Sequence, residues 1–195
     1  MNPAHPLPYA HSAASRQRGA TLVVTLILLV VVIILGVSAA VMGNLGERMA
    51  RNSRDQNIAL QAAEAALRDA RQDIMVARRF DGGTGASATC DGTGFKGFCL
   101  AATTGAPVWD RYLEDTARSV QYGELTARTS AQVFRDDSVP GGVRAQPRYV
   151  IEALPDPEGV SLRAPSSSNW VYRITAIGYG ALPGTQVIVQ EVIRP

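Results

Sequence analysis

The stretch ATLVVTLILLVVVIILGVSAAVMG, Ala20 to Gly43, decides the architecture. It holds no charged residue, follows Arg16-Gln17-Arg18-Gly19 and precedes Glu47-Arg48-Met49-Ala50-Arg51. At a helical rise of about 1.5 Å per residue its length is roughly 36 Å, enough to cross a hydrocarbon core of about 30 Å with some tilt. Leu22 to Leu35 places Leu, Val and Ile on every face, and the remainder of the chain is too short to wrap such a helix as a buried core element. A cleaved secretory signal has an apolar region of only about 7 to 15 residues. The small residues Ser38-Ala39-Ala40 would offer a cut, but the run is too long and the helical pattern continues past it. The stretch reads as a single membrane anchor.

The whole chain of 195 residues has 18% charged and 46% hydrophobic residues and a formal net charge of +2. That balance suits one small domain joined to a membrane helix. Neither a basic stripe nor an acidic tail stands out, so nucleic acid is not an implied partner. Met1 to Arg18 contains prolines, His5 and His11 but no acidic residue, the composition of an unstructured leader, and both histidines of the chain lie in it. Arg16 and Arg18 precede the span while Arg48, Arg51 and Arg54 follow it, so the positive-inside count leaves orientation open. The short N-terminal tail and the only two cysteines, Cys90 and Cys99, favour an exported C-terminal part. Paired, they close a small Gly-rich loop, stabilising by roughly 2 to 3 kcal/mol and persisting only in an oxidising compartment. Two unrelated free thiols are the alternative.

Past the span, Glu47 to Arg79 contains no proline or glycine, and Ala59, Ala62, Ala63, Ala66, Leu67, Ala70 and Ile74 recur at helical steps. One amphipathic helix is expected to continue the membrane helix. Arg51, Arg54, Asp55, Arg68, Arg71 and Asp73 form its solvated or partner-facing surface, with Glu64 and Arg68 at the favourable i,i+4 spacing. Asp81-Gly82-Gly83-Thr84-Gly85 should end it, and Asp81 to Gly105 reads as loop from its Gly, Thr and Ala content. A short helical turn is expected within Trp109 to Gln121 and a weak strand over Leu125 to Phe134. Arg148 to Leu154, Trp170 to Gly178 and Gln186 to Ile193 are β-branched and aromatic runs separated by breaks such as Pro155-Asp156-Pro157 and Leu182-Pro183-Gly184, the pattern of an antiparallel meander. In the last run Val187, Val189, Glu191 and Ile193 share one face and Ile188, Gln190 and Val192 the other. The fold class is α+β, with the sheet burying one face on Ala62 to Ile74.

Catalysis has little to build on. No histidine lies beyond the leader, which excludes Ser-His-Asp, Cys-His and histidine-ligated metal arrangements. Asp136-Asp137 and Pro155-Asp156-Pro157-Glu158 lack calcium-loop spacing and read as solvated turns. Gly82-Gly83-Thr84-Gly85 follows a helix and lacks the lysine of a phosphate loop. No cofactor or metal is expected, and Trp109 and Trp170 serve either core packing or an interface.

A leader, a helix half in lipid, a variable loop and a C-terminal antiparallel sheet resemble the architecture of type IV pilins and pseudopilins. Gly19 before the apolar run resembles the site cut by prepilin peptidase, which implies Ala20 as an N-methylated mature terminus. Glu47-Arg48-Met49-Ala50-Arg51-Asn52-Ser53-Arg54-Asp55, Ala59, and Gln61-Ala62-Ala63-Glu64-Ala65-Ala66-Leu67-Arg68 resemble the N-terminal signature of the PilX family of minor pilins. Arg148-Tyr149-Val150-Ile151-Glu152 and Tyr172 to Gly178 resemble that family's sheet, with less specificity. The resemblance implies a leader over 1–19, a transmembrane half-helix over 20–43, an exported half over 44–79, a variable region over 80–147 and a sheet over 148–195. It further implies an inner-membrane protein with a periplasmic C-terminal domain, later extracted into a filament. Its partners would be other minor pilins, the major pilin through the N-terminal helix, prepilin peptidase and a tip adhesin.

Two departures matter. Most pilins open the mature chain with phenylalanine and carry glutamate at its fifth residue, where this chain has Ala20 and Val24. A carboxylate inside the bilayer costs roughly 2.5 to 3.5 kcal/mol on insertion scales, so that glutamate implies a partner, taken in pilins to be a neighbour's terminal amine. Either Val24 is a neutral substitution in a subunit held by its other helical contacts, or it marks a place, such as the filament tip, where a usual neighbour is missing. Two other functions fit the general plan. A K-type minor pseudopilin of a type II secretion system also lacks the glutamate but carries a much larger inserted domain, and a monotopic envelope binding protein would not need the Glu47 to Arg68 signature.

Overall fold

The computed structural model describes residues 20–76, 82–155 and 170–194. Its elements in chain order are α1 (Ala20–Met75), β1 (Asp91–Gly92), β2 (Phe95–Lys96), β3 (Phe98–Leu100), α2 (Val108–Tyr112), β4 (Val120–Gln121), β5 (Arg148–Pro155), β6 (Trp170–Tyr179) and β7 (Gln186–Ile193). Contacts divide the chain into two compact units, Met1–Met49 and Ala50–Pro195. In the first, every described residue from 20 to 49 is exposed. Thr25, Ser38 and Asn44 return their side-chain donors to backbone carbonyls of Leu22, Ile34 and Ala40, so these three polar side chains are satisfied inside the helix.

The second unit is an α+β domain. Its central sheet has the order β3-β5-β6-β7, with β4 also paired to β5. The β5, β6 and β7 pairs are antiparallel, with Tyr149 opposite Ala176, Ile151 opposite Ile174 and Ala176 opposite Val189. The expected meander is therefore present. Contrary to the loop expected over Asp81 to Gly105, that region supplies β1, β2 and β3, and β3 pairs parallel to β5. Side-chain alternation sorts the sheet into two faces. Tyr149, Ile151, Ala153, Tyr172, Ile174 and Ala176 meet Ala66, Ala70 and Ile74 of α1 in one core. Val150, Ile177 and Tyr179 on the reverse face pack with Cys90, Cys99, Val108 and Leu113 in a second.

The helix stripe is almost all alanine for a reason of distance. Ala59, Ala62, Ala63, Ala66 and Ala70 are fully buried, and small side chains let the helix backbone lie close on the sheet. The β7 alternation is as expected, with Val187, Val189, Glu191 and Ile193 the more covered set.

Two further expectations need correction. Asp55 and Asp73, assigned to the solvated surface, are 5% and 0% exposed. Leu125 to Phe134 forms turns rather than a strand, because the chain there is drawn back to α1 by hydrogen bonds to Asp69. The described helix ends at Met75; the expected extension over 77–79, the break at Asp81 and the turn at Asp156 to Glu158 lie outside the described residues, as do 1–19. The short helical turn expected within Trp109 to Gln121 is α2, one residue earlier in its start.

Candidate functional site

The signature residues of α1 divide cleanly by burial. Asp55, Ala62, Ala63 and Ala66 are buried and Leu67 half-buried, whereas Glu47, Arg48, Met49, Ala50, Asn52, Arg54, Gln61 and Glu64 are exposed. The first group holds the domain to the helix, and the second forms helix surface. Ala20 is the first residue of α1; Gly19 lies outside the described residues.

Asp55 accepts hydrogen bonds from the backbone N–H of Ala181 at 2.7 Å and of Leu182 at 3.2 Å, which fastens the turn between β6 and β7 to the helix. Four turns further, Asp69 accepts from Gly123 N–H at 2.8 Å, the Thr126 hydroxyl at 2.6 Å and Arg128 Nε at 2.8 Å. One turn beyond that, Asp73 accepts from the Tyr149 hydroxyl at 3.3 Å. These carboxylates stand on the alanine stripe, so they point into the domain instead of out of it. A buried carboxylate is tolerated only when its lone pairs are filled, and that requirement makes each a fixed pin for a loop or strand. Exposed Arg71, one turn from the stripe, pairs with Glu191 of β7.

On the reverse face of the sheet, Glu152 is fully buried and takes a two-pronged pair of hydrogen bonds from Arg173 Nε and Nη2, both 2.8 Å. The Glu152 hydrogen bonds hold Arg173 above its ordinary range against the opposing effect of burial.

Cys90 and Cys99 form a disulfide with Cα atoms 4.5 Å apart, both side chains fully buried in the second core. The bond ties β3 to the turn that holds Cys90, whose φ of 58° is unusual for a non-glycine residue. Replacing both by serine is expected to lower unfolding free energy by roughly 2 to 3 kcal/mol through the lost loop constraint. Burial of two hydroxyls adds to that loss. Parallel denaturant titrations of wild type with and without reductant, and of the double variant, check this: reduced wild type should fall most of the way to the variant, which stays lower by the cost of the buried hydroxyls.

Trp109 and Trp170 are both half-buried, the first against the second core and the second against the first, where its indole covers Gly83. Sequence reasoning singled out neither Asp69 nor Arg148. Asp69 had a signal, since Ala62, Ala66, Asp69, Ala70 and Asp73 fall on one helical face. Arg148 had none beyond its place at the start of a strand.

Two family comparisons match the chain. Residues 95–195, just over half of it, match the C-terminal domain of the type IV pilus assembly protein PilX, and residues 18–68 match the PilX N-terminal domain. No curated protein and no solved structure matches it.

Proposed function

The chain belongs to the PilX family of type IV pilus assembly proteins, and from that premise we propose that it is a minor pilin. In this reading it helps start filament assembly together with other minor pilins and is then incorporated near the filament tip. The observation that carries the reading is the bare helix. From residue 20 to 49 every position is exposed, and an 18-residue window of the helix has a mean hydropathy of 3.2 with none of it buried. Such a surface has to be covered by lipid or by other helices, and a pilin uses the two in turn.

The proposed course begins with a single-pass inner-membrane precursor whose C-terminal domain lies in the periplasm. Prepilin peptidase removes 1–19 after Gly19, Ala20 is N-methylated, and the helix leaves lipid for a bundle with other minor pilins and the major pilin. The oxidising periplasm maintains the Cys90–Cys99 bond. The exposed signature residues, Glu47 to Ala50, Asn52, Arg54, Gln61 and Glu64, would line contacts to neighbours, and the domain would meet a tip adhesin. The role is one of assembly and structure; no enzymatic step is proposed.

Intact mass and N-terminal sequencing of the protein from strains with and without prepilin peptidase test the class. A methylated chain beginning at Ala20, dependent on the peptidase, is expected. A chain that keeps Met1 to Gly19 in both strains would leave an anchored binding protein instead. Val24 tests the tip assignment. Val24→Glu restores the buried carboxylate that a shaft subunit carries, and is expected to spread the protein along the filament and lower the number of filaments per cell, both counted by immunogold electron microscopy. Unchanged distribution and filament number would remove the main support for the tip.

A further inference from the structure

We propose that the cavity at the Arg148 end of the sheet receives an acidic segment of a partner subunit, an assignment that rests on the pilin reading. The cavity has a volume of about 630 Å³ and is lined by Glu114, Gln121, Arg144, Gln146, Arg148, Tyr179 and Gln186 among others. Arg148 is its distinctive group. It is 7% exposed and is the only buried basic residue among the described residues.

Its guanidinium is held by neutral acceptors. Nε donates to Ser119 Oγ at 2.7 Å, and Nη2 donates to the carbonyl oxygens of Thr116 at 3.0 Å and Ser119 at 2.7 Å. Among the described residues no carboxylate stands within ion-pair distance of it, whereas buried Asp69 and Glu152 each have an arginine. Nη1 has no protein acceptor among the described residues, yet no buried side-chain nitrogen is left without a partner, so Nη1 is not sealed from solvent, and Arg148 lines the cavity. A buried charge lacking its counter-charge is costly, and an arriving anion would relieve the cost. Burial accordingly pushes the Arg148 pKa down, with Glu124, Tyr179 and Asp115 offsetting this only in part.

The surroundings select the kind of anion. The Arg144 guanidinium lies 5.3 Å from the centre of the Tyr179 ring and supplies a second positive charge. Glu114 is the opposing charge on the lining, so the cavity stays net positive. Burial and Glu114 raise the Tyr179 hydroxyl pKa, against both arginines, which keeps the phenol neutral. Gln121 and Gln186 add amide donors and acceptors, which suit a peptide backbone flanking the acidic side chain, while Gln146 spends its amide on the Phe134 backbone. The volume falls in the range of about 300 to 1,000 Å³ typical of ligand pockets, roomier than a lone oxyanion needs. Arg148 also lines a second cavity with Lys96, Glu124 and Arg128, but there the other cations are already matched, Lys96 by Glu124 and Arg128 by Asp69.

The test uses the full chain in neutral detergent micelles, with arginine side-chain ¹⁵N–¹H resonances as readout. The probes are a blocked Gly-Asp-Gly peptide, its Gly-Asn-Gly counterpart and inorganic phosphate. The Asp peptide should shift the Arg148 and Arg144 signals saturably and the Asn peptide should not. Arg144→Glu, a change at an exposed side chain that should leave the fold intact, should weaken binding at least tenfold, and Glu114→Gln should tighten it. No saturable shift, equal binding by the Asn peptide, or an Arg144→Glu variant that binds like wild type would overturn the site. Phosphate binding as tightly as the Asp peptide would overturn the acidic-segment assignment in favour of a small-oxyanion site. Failure here with normal peptidase cutting condemns the cavity alone, while an uncut chain that still binds the peptide condemns the pilin reading.

Discussion

Gly178→Ala is expected to cost about 3 kcal/mol or more, the upper part of the range for overpacking a core. A Cβ at position 178 would stand 2.1 Å from the Ala59 carbonyl oxygen and 2.3 Å from the Ala63 nitrogen. Both atoms belong to the backbone of α1, and no rotamer change can move them. The helix would have to lift from β6, opening gaps along the stripe that Ala59, Ala62 and Ala63 now fill without exposure. For a domain of this size a loss of about 3 kcal/mol lowers the melting temperature by roughly 6 to 12 °C. Thermal unfolding followed by circular dichroism reads the effect. Trimming Ala59 and Ala63 to glycine should not rescue the variant, because the clash is with main chain. Rescue, or a loss below about 1 kcal/mol, would mean that the helix can shift on the sheet without penalty.

The contact also shows what was legible in the chain. The stripe from Ala59 to Ile74 and the three β-branched runs could be placed because each is long and periodic, and their ends were set by breaker residues. The runs ending at Leu154 and Gly178 extend by one residue in the structure, and Gln186–Ile193 needs no change. That glycine closes the approach to α1 was not readable, since a glycine at a strand end signals equally well a bulge, a turn or a close contact. β3 was hidden for another reason. It is a three-residue strand in a Gly-rich stretch, and its identity comes only from pairing with Ile151, Glu152 and Ala153 far along the chain.

The charged residues of α1 mislead in an instructive way. Charges default to solvent, so Asp55 and Asp73 were assigned to the exposed face. Their spacing from the alanines says otherwise, and the structure follows the spacing. The Leu125 to Phe134 segment fails as a strand through the same physics, because side-chain and backbone donors at 123, 126 and 128 converge on Asp69 and compete with ladder formation. As for the candidate site, the exposed part of the signature was visible in the chain, but the Arg148 cavity joins Glu114, Gln121, Arg144 and Gln186 from four separate segments, and only the fold brings them together.

Asp69→Ala should be among the most damaging single changes to the α+β domain. The substitution leaves the Gly123 N–H, the Thr126 hydroxyl and the Arg128 guanidinium without their shared acceptor. Removing one partner of a buried pair typically costs about 3 to 5 kcal/mol. Arg128 tempers this, because its side chain is 25% exposed, still donates to Gln72 Oε1 at 3.3 Å and still lies 4.9 Å from the Tyr122 ring centre. A loss of about 3 kcal/mol is therefore expected, at the lower end of that range. Asp69→Asn keeps the shape and one acceptor, and should lose about half as much. In the Asp69→Asn/Arg128→Gln double variant the charge is absent from both sides, so the combined loss should fall short of the sum of the single losses. Hydrogen exchange separates local from global effects: amides over 123–128 should lose protection first, while those of β5 and β6 follow only as the whole domain weakens. Strict additivity in the double variant, or unchanged protection over 123–128, would show that Asp69 does not hold this segment to α1. The segment includes Gly123, Glu124 and Arg128, which line the cavity beside Arg148. Loosening it should therefore also broaden the Arg148 side-chain signal before the fold is lost.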